Sequence, residues 1–547
     1  MTHREIEAKF EVLDRNSIEN WQTTPALSEA FSLQPGVTVT HTDTYLDTAA
    51  YSLLRLGYTL RLRTTSTGVL VTVKTLTLDD DALVHDRLEL EGPVKAGANP
   101  LLPKHWPKAI RKFIQKLIET DMAWQPLCTL QQTRHKRAIL TGITGADPMA
   151  PIAELSIDEV IVYGPDFLEA DYTDTLPQQA IKPVTEFREI EIELKPGQDE
   201  TLIATLAAAL QKQAALTPLH TSKLERALAS ISSSAFDGEQ YLAFMQPTMP
   251  MAEACRLLWR QQLMQMLLAE AGVCHNDGDE YIHKMRVALR RARVATRLFG
   301  AYFHPKTLQR FNKAMKHTST LLGKVRDLDV ARKKLKKFRQ ERQNPPELAE
   351  LDAHWRTARK QARYALLSWL DSKKYADFIA TFAHFCQTVG KGTQEYSFEP
   401  GETPTPYQVR HVVPSVLLER FEHVRCFETL LETDKPMPEA ILHLLRIECK
   451  YMRYSLEFAE HLLGQPGQEL LALLKQLQED LGELNDAAVS RSMLERLPAS
   501  LDTASVKSYA ETQYEVLDQM RDNLTNDLPG FLAIESRYKL AQAIARI

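Results

Sequence analysis

The stretch Glu5-Ile6-Glu7-Ala8-Lys9-Phe10 decides the fold of the first part of this chain. Side chains alternate between the two faces of a β-strand, so its two glutamates and its lysine share one face and its apolar residues share the other. The same alternation returns at Glu189, Glu191, Glu193 and Lys195. An exposed edge strand is the alternative for either run alone. Two such strands in one domain indicate a charged interior tunnel.

Length and composition indicate a soluble protein with several domains. A chain of 547 residues exceeds the size of a single core and predicts two to four domains. Hydrophobic residues make up 44% and charged residues 25%, as in globular proteins. The net charge of -5 hides a segment, 281–340, with 18 Lys or Arg and two acids. We therefore expect a strongly positive surface there.

The cysteines and the apolar runs exclude other classes. None of the six cysteines has C-x-x-C spacing, which argues against a zinc site and against a disulfide framework. The first residues are polar, and no run approaches the roughly 18 apolar residues of a membrane span. We expect a cytoplasmic protein without a membrane segment.

Residues 1 to about 228 contain roughly eight predicted strands, most of them charged on one face, and a predicted helix over 17–33. A closed barrel of about eight antiparallel strands has an interior wide enough for side chains or one small ligand. Burying many ions there is costly unless a ligand and metal ions match them. Arg and Lys suit phosphate oxygens, and carboxylates suit Mg²⁺ or Mn²⁺. A metal-bound polyphosphate chain uses both.

The order of these motifs resembles the CYTH family, the triphosphate tunnel metalloenzymes, over about 225 residues. That family includes class IV adenylyl cyclases, thiamine triphosphatases and inorganic triphosphatases. The resemblance rests on the opening Glu-x-Glu-x-Lys, followed in order by Arg-x-Arg, a strand lysine, Arg-x-Glu-x-Glu, Arg-x-Lys, a Glu-rich strand and Ser-Lys.

The resemblance implies roles for individual residues. Glu5 and Glu7 would hold the divalent metal and Lys9 would contact a phosphate, and these three would be the catalytic residues. Further phosphate contacts would come from Arg61, Arg63, Lys74, Arg87, Arg134, Lys136 and Lys223. The metal and water sites would be completed by Glu89, Glu91, Glu154, Asp158, Glu189 and Glu191.

Two departures from the family pattern leave alternatives open. His135 and Arg137 flank Lys136, so a slip of one residue would exchange the basic groups that face inward. The acidic pair is spaced as Glu154-Leu155-Ser156-Ile157-Asp158, which leaves open that one of its two carboxylates reaches the metal.

The charges predict hydrolysis of a triphosphate, and the resemblance implies inorganic triphosphate as the substrate, with pyrophosphate and orthophosphate as products. A metal bridging phosphate oxygens would offset their charge, and a second metal or a carboxylate would activate water. One alternative enzyme is a class IV adenylyl cyclase or an organic-triphosphate hydrolase, which would need a base pocket at the tunnel mouth. A polyphosphate-binding scaffold without turnover is the non-enzymatic alternative.

From Met251 almost to the end, the hydrophobic period is helical and contains an internal repeat. His283-x2-Arg286-x3-Arg290-x2-Arg293 returns as His443-x2-Arg446-x3-Lys450-x2-Arg453, and a Leu-Gly-x-x-x-Asp motif follows each copy. Two duplicated helical bundles are the simplest explanation. The helices around these motifs are predicted at 306–322 and 325–342 in the first copy and at 467–481 and 484–496 in the second.

Each repeat places histidine and basic residues on one helical face, with few acids near enough in sequence to neutralise them. Such a stripe favours a polyanion as partner, and a solvated face is the alternative. Nucleic acid is disfavoured because aromatic residues are sparse in the stripes. We expect the histidines to contact phosphate or to support the fold rather than to bind metal.

This repeat resembles the CHAD domain, a conserved-histidine helical domain found downstream of CYTH domains and similar to polyphosphate-binding modules. The resemblance implies a polyphosphate groove lined by His283, Lys284, Arg286, Arg290, Arg293, His443, Arg446, Lys450 and Arg453. The second copy is weaker, because Glu448 and Glu457 lie beside it in sequence.

The prediction is an α+β chain in three segments. Residues 1–228 form an eight-stranded antiparallel β-barrel with covering helices, 229–245 a linker, and 246–540 an all-α domain of duplicated bundles. The predicted cofactor is Mg²⁺ or Mn²⁺, and the predicted partners are inorganic triphosphate and polyphosphate. The sequence leaves the oligomeric state open.

Overall fold

A computed structural model describes residues 2–12, 21–76, 84–118, 123–141, 150–167, 182–213, 216–219, 221–237, 240–243, 245–275, 279–342, 345–394, 405–431 and 438–547. The chain divides into two compact units. The first comprises Met1–Ala243 with Leu267–Asn276, and the second Phe244–Met266 with Asp277–Ile547.

The first unit is built on an antiparallel barrel of eight strands. In chain order the strands of the whole unit, within and outside the barrel, are β1 (Thr2–Glu11), β2 (Ala26–Ser28), β3 (Phe31–Leu33), β4 (Val37–Thr48), β5 (Tyr58–Thr65), β6 (Gly68–Thr75), β7 (Val84–Pro93), β8 (Trp124–Thr141), β9 (Ala153–Tyr163), β10 (Thr185–Leu194), β11 (Thr217–Pro218), β12 (Ser234–Asp237) and β13 (Gln240–Ala243). Neighbours follow the order β8-β4-β5-β6-β7-β1-β10-β9, and β9 pairs with β8 to close the ring. The predicted eight-stranded antiparallel barrel is confirmed.

Strand register separates a polar interior from an apolar exterior. Lys9 pairs with Glu191 and Glu189 pairs with Asp158, and paired residues share a face. The alternate residues of these strands lie outside the barrel and are buried in one apolar cluster, which includes Ala8, Phe10, Ile157, Ile190 and Ile192.

Helices cover the outside of the barrel. They are α1 (Ser52–Arg55), α2 (Lys108–Leu117) and α3 (Leu202–Gln213), while a fourth helix, α4 (Lys223–Ser233), carries Lys223 to the interior. Leu206 and Leu210 of α3 complete the cluster beside β1, β9 and β10. Ile110 of α2 and Trp106, which lies just before this helix, pack with residues of β5 and β6. Burial of these apolar faces, at about 25 cal/mol per Å², holds the strands around the polar interior.

One predicted helix is wrong over part of its length. Residues 26–33 of the predicted helix 17–33 form strands β2 and β3, and 13–20 lie outside the described residues. The hairpin buries Leu27, Phe31 and Leu33 in the outer cluster. This long-range packing outweighs local helix propensity.

The residues of the second unit that the structure describes are mostly helical. From residue 251 onward the helices are α5 (Met251–His275), of which the part from Leu267 belongs to the first unit, α6 (Asp279–Phe299), α7 (Pro305–Glu341), α8 (Pro346–Leu370), α9 (Lys373–Gln387), α10 (Val409–Arg425), α11 (Glu428–Leu431), α12 (Glu439–Phe458), α13 (Glu460–Leu494), α14 (Ala504–Leu532) and α15 (Ile534–Ile544). The prediction of an all-helical second region is confirmed. Within the described residues, no helix combines the length and apolar content of a membrane crossing.

Two predicted helix breaks are wrong. α7 continues through Gly323 and α13 continues through Gly482, although α13 is interrupted earlier at Gly464, where φ is +59°. A glycine inside a helix costs about 1 kcal/mol. The buried leucines Leu322 and Leu481 each contribute about 1.5–3 kcal/mol by burial, which offsets that cost.

The predicted repeat maps onto matching helix pairs. α6 and α12 carry the two histidine motifs, and α7 and α13 carry the two Leu-Gly motifs. α6 and α12 also contact each other. The stretch 229–245, predicted as a linker, contains the end of α4 and the hairpin β12–β13. The domain boundaries stay a prediction.

Candidate functional site

Three buried carboxylates converge inside the barrel. Asp158 lies on β9 and Glu189 and Glu191 lie on β10, with carboxylate oxygens within 4.8 Å of one another. The ammonium of Lys223 lies among them, at 3.0 Å from Asp158, 2.5 Å from Glu189 and 2.8 Å from Glu191. We call these four residues the central cluster.

A capping box places Lys223 at the start of α4. The Ser222 hydroxyl accepts a hydrogen bond from the Glu225 N–H at 3.2 Å, and the Glu225 carboxylate accepts one from the Ser222 N–H at 2.7 Å. This reciprocal cap fixes the first turn of the helix. The Ser-Lys motif therefore delivers its lysine into the barrel because the serine begins the helix.

Two more predicted cations contact the central cluster. Lys9 Nζ lies 2.8 Å from Glu191 and 3.2 Å from Glu7. The Arg134 guanidinium donates to both oxygens of Asp158, at 2.6 and 2.5 Å, and to Glu191 at 2.5 Å. Bidentate contacts of this kind orient a guanidinium as well as neutralising its partner. Glu7, Lys9 and Arg134 thus adjoin the central cluster.

The central cluster has strongly shifted ionisation. Burial acts to raise the pKa of Glu191, but Lys223, Lys9 and Arg134 outweigh it and hold that pKa well below the usual range. Burial also acts against ionised Asp158, and Arg134 and Lys223 bring its pKa below the ordinary value. For Glu189 burial prevails and raises the pKa. The interior therefore holds ions of both signs out of water, a condition that requires close partners.

A second interior cluster centres on Asp43, a residue that the sequence analysis did not select. Arg63 donates to both its carboxylate oxygens at 2.7 and 2.8 Å, Gln132 donates at 2.7 Å, and Arg61 lies at 3.3 Å. Burial acts to raise the pKa of Asp43, but the two guanidiniums hold it well below the usual range. Beside it, burial lowers the pKa of His41 to about 4.

Glu89 and Glu91 of β7 lie with cations rather than with the central cluster. Glu89 accepts from Lys74 at 3.1 Å and lies 3.9 Å from Arg61. Glu91 accepts from the Thr72 hydroxyl at 2.8 Å and lies 3.8 Å from Arg61. The structure therefore groups Arg61, Lys74, Glu89 and Glu91 on the strands β5 to β7.

The spacing of the acidic pair on β9 separates its members. Glu154 contacts Lys136 and Lys195, each at 3.0 Å, whereas Asp158 belongs to the central cluster. Arg137, the neighbour that a register slip would have turned inward, is buried outside the barrel, where it donates to the carbonyls of Trp21, Thr24, Leu33 and Gln34. Arg134 and Lys136 are thus the inward pair.

Two predicted residues can be placed through their backbones alone. Glu5 pairs with Arg87 across β1 and β7. Their side chains lie outside the described part of the structure. Their roles stay a prediction.

Further interior residues were missed, and for those on β4 strand alternation was the available signal. Arg226, one turn beyond the first residue of α4, lies 2.7 Å from Glu11 and 3.2 Å from Glu189. His41 and Asp43 alternate on β4 in the same way as Arg61 and Arg63 on β5. Applying the alternation rule to β4 would have identified both.

A cavity of about 530 Å³ lies at the barrel end where β5 turns into β6. Most lining side chains are hydroxyls, amides or charged groups, including Thr42, Thr64 and Gln131. Phe187 is the one Phe, Tyr or Trp among the described lining residues, and the Arg226 guanidinium covers its ring at 4.0 Å. This end of the barrel is polar.

In the second unit, α6 and α12 bring the repeated cations near one another. The Arg290 guanidinium donates to the Tyr454 hydroxyl at 2.6 Å, and Arg286 contacts Asp327 at 3.0 Å. Lys450, the repeat counterpart of Arg290, has its pKa lowered to about 7 by burial and by the positive charges of Arg446, Arg290, Arg286 and Arg293. Burial and neighbouring positive charges therefore both favour the neutral amine of Lys450 on this surface.

The remaining predicted groove residues differ in their surroundings. Burial lowers the pKa of Arg446, as it does that of His283, to which Arg326, Arg290 and Arg286 add repulsion. Arg293 contacts Ser319 at 3.3 Å, and His443 is exposed. Two positions already have acidic partners: Lys284 with Glu280 at 3.2 Å and Arg453 with Glu457 at 3.3 Å.

Comparison with protein families identifies two separate domains in this chain. The CYTH domain family matches residues 3–228, and the CHAD domain family matches residues 257–495. A comparison with curated proteins finds no match.

Solved structures similar to parts of the chain are more distant. The CHAD domain from the plant Ricinus communis is 23% identical, with 52% of this chain and 93% of that chain covered and a TM-score of 0.42. A putative adenylate cyclase from Bacillus halodurans is 16% identical, covering 41% and 97%, with a TM-score of 0.28. The putative adenylyl cyclase HpAC1 from Hippeastrum, described as having a dominant triphosphatase activity, is 16% identical, covering 41% and 94%, with a TM-score of 0.29.

Proposed function

This chain contains a CYTH domain over residues 3–228 and a CHAD domain over residues 257–495, and from that premise we propose a two-part function. The barrel hydrolyses inorganic triphosphate to pyrophosphate and orthophosphate with a divalent metal, and the helical unit binds polyphosphate. A cytoplasmic location is part of the same proposal.

The observation that carries the proposal is the mixed charge of the central cluster. Lys223 and Arg134 contact the same buried carboxylates, Asp158 and Glu191. A metal-bound phosphate chain carries both charges that such an interior can match. When the substrate binds, the lysine and arginine side chains would contact phosphate oxygens in place of the carboxylates. The carboxylates would then contact the metal in place of these side chains.

The residues present fit a hard divalent cation. Asp158, Glu189 and Glu191 offer three carboxylate oxygens within 4.8 Å of one another, and oxygen ligands suit Mg²⁺ or Mn²⁺. In the structure the positive charge of the Lys223 ammonium is already neutralised by these carboxylates, one of which, Glu189, lies 2.5 Å away. We propose that these three carboxylates hold the metal together with Glu5 and Glu7. When bound, the metal offsets the charge of the phosphate oxygens.

The chain's own cations would orient the substrate. Lys9, Arg134 and Lys223 hold the phosphate oxygens near the carboxylates, and Arg61, Arg63 and Lys74 hold the oxygens further along the chain. The oxygen of a water molecule bonds to the terminal phosphorus, in line with the anhydride bond that breaks. The bridging oxygen leaves with pyrophosphate, and the water proton passes to a carboxylate. Fixed charges that stabilise the charge developing in this displacement lower the free energy of the transition state inside the barrel.

The polar barrel end supports an inorganic substrate over a nucleotide. A base would need an aromatic or apolar surface, whereas Phe187 is covered by Arg226 and most of its neighbours are hydroxyls, amides or charged groups. Adenylyl cyclase activity and organic-triphosphate hydrolysis are therefore the rivals that a substrate comparison must exclude.

The experiment compares substrates on the purified full chain with Mg²⁺, with Mn²⁺ and with EDTA. We expect metal-dependent phosphate release from tripolyphosphate to exceed that from ATP and thiamine triphosphate, without cyclic-nucleotide formation. A preference for ATP or the formation of cyclic AMP would overturn the inorganic assignment. Saturable polyphosphate binding without any turnover would establish the scaffold instead.

Polyphosphate binding by the second unit rests on the cations of α6 and α12. Burial and the repulsion from Arg446, Arg290, Arg286 and Arg293 together lower the pKa of Lys450 to about 7. A polyanion would relieve that repulsion. Since the two domains belong to one chain, a bound polyphosphate would raise the local phosphate concentration for the barrel where geometry permits. Replacing Arg290 with Gln should weaken binding of long-chain polyphosphate, and unchanged affinity would contradict this assignment.

A further inference from the structure

A second basic surface lies on α7 and α8, beyond the residues of the repeated motifs. It borders a cavity of about 760 Å³ that is lined by six cations, Arg332, Lys333, Lys336, Arg339, Arg356 and Arg359, and by three carboxylates, Asp279, Asp329 and Asp352. We call it the α7–α8 surface. It contains much of the basic segment 281–340 that the histidine motifs leave unexplained.

The carboxylates of this surface are already engaged by arginines. Asp352 lies 2.9 Å from Arg332 and 2.8 Å from Arg356, and Asp329 contacts Arg359. Asp279 accepts from Arg326 at 2.7 Å. The acids therefore have little capacity left to neutralise further cations.

The lysines and one arginine of the surface retain donors for an anion. Among the described residues, Lys333 and Lys336 have no carboxylate within 4.0 Å, and both are exposed at the cavity. The Arg339 guanidinium lies 3.9 Å from Asp352 through one terminal nitrogen, and its Nε–H is buried without a hydrogen-bond partner in the described structure. A solvated face would explain the lysines alone, but a buried donor at a concave cationic surface calls for an acceptor.

The α7–α8 surface adjoins the groove residues of α6 through neighbouring ion pairs. Asp279 lines the cavity and pairs with Arg326. The next residue along α7, Asp327, pairs with Arg286 of the groove at 3.0 Å. The two basic regions thus share a boundary of two neighbouring ion pairs.

We propose that the α7–α8 surface extends the polyphosphate groove, so that a long phosphate chain occupies both regions while a short chain occupies the groove alone. This inference rests on the proposed polyphosphate binding of the second unit. The ligand class is a linear phosphate polymer, because the lysines and Arg339 offer donors without a fixed planar arrangement and phosphate oxygens accept from all of them. Affinity then increases with chain length beyond the reach of the groove.

The test measures affinity of the full chain for polyphosphate of a long and a short size class, in EDTA so that no hydrolysis occurs. The variant is Lys333→Gln with Lys336→Gln. The matched control is Lys373→Gln with Lys374→Gln, two exposed lysines of α9 that lie outside the cavity lining. Both variants lose the same net charge, and the barrel is identical in each.

We expect the cavity variant to lose roughly 3- to 30-fold in affinity for the long polymer, from two ion pairs of surface strength. The slope of log affinity against log salt should fall by about two, roughly one for each lysine. Affinity for the short polymer should match that of the control. Equal affinities of the cavity and control variants for the long polymer would overturn the extension.

The outcome for the groove is distinguishable from the outcome for the extension. Wild-type chain that binds no polyphosphate would overturn both the proposed function and this inference. Wild-type binding that weakens with Arg290→Gln but not with the cavity variant would retain the groove and refute the extension. A loss that is equal for both size classes would also refute it, because the lysines would then act inside the reach of a short chain.

Discussion

Replacing Asp43 with Asn should destabilise the barrel because it leaves two arginines without their shared counter-ion. The Asp43 side chain is fully buried and receives two hydrogen bonds from Arg63 and one from Gln132, with Arg61 at 3.3 Å. Removing one partner of a buried ion pair costs about 3–5 kcal/mol. Because the Arg63 side chain is 21% exposed and can be partly hydrated, we expect the lower end, about 3 kcal/mol.

The loss can be measured locally by hydrogen exchange of peptides from β4 and β5 in the full chain, with and without urea. The matched control is Asp166→Asn, an exposed acid in the turn after β9 that has no ion pair among the described residues. Tripolyphosphate in EDTA should stabilise the Asp43 variant by roughly 1–2 kcal/mol more than it stabilises wild type, since its oxygens replace the lost anion. A loss below about 1 kcal/mol, equal to the control, would refute the reasoning.

The pH dependence of the same variant follows from the sign of the pKa shift. The folded-state pKa of Asp43 lies below its unfolded value, so its stabilisation is fully present above the unfolded pKa of about 3.9 and is lost as pH falls below it. Wild-type barrel should therefore lose stability more steeply than Asp43→Asn below about pH 4. Parallel acid denaturation curves would show that the ion pairs of Asp43 contribute little.

Three further predictions concern the two proposed sites. Lys223→Gln should lower kcat/KM for tripolyphosphate by about 10²–10³, as for other groups that stabilise transition-state charge, while the exposed Lys212→Gln should not; equal effects of the two on phosphate release would contradict the assignment. Lys450, with a pKa of about 7, must take up a proton to bind a polyanion at higher pH. Polyphosphate affinity should therefore fall by up to about tenfold per pH unit above pH 7, and titrations with Lys450→Arg, which stays charged, should show a shallower slope. Polyphosphate affinity should also weaken with added salt in a titration series, and salt-independent binding would exclude the electrostatic groove.

Strand alternation predicted much of the barrel because its physical basis is local. Glu7 and Lys9 face one way wherever a strand places them, and the same rule holds for Glu191, which Lys9 contacts, and for Arg134, which contacts Glu191. Alternation does not specify which carboxylate approaches which cation, since strand tilt and register set the distances. Glu154 and Asp158 are four residues apart on one strand and face the same interior, yet they contact different cations.

The features that sequence reasoning missed depend on long-range packing. Strands β2 and β3 form where a helix was predicted, because Leu27 and Phe31 complete a cluster with residues more than 100 positions away. A helix break was predicted at Gly323, but α7 continues through this residue because its neighbours Leu322 and Val325 are buried. Arg137 lies outside the barrel because four backbone carbonyls accept its donors, and no spacing rule identifies such a cap.

The central claim is that the buried carboxylates of the barrel support metal-dependent triphosphate hydrolysis. Its most direct test is phosphate release from tripolyphosphate with Mg²⁺ or Mn²⁺ by wild type, by Glu191→Gln and by the exposed control Glu29→Gln. We predict that wild type and the control release phosphate in a metal-dependent manner and that Glu191→Gln loses at least about 10²-fold in kcat/KM. Undiminished metal-dependent hydrolysis by Glu191→Gln would contradict the account.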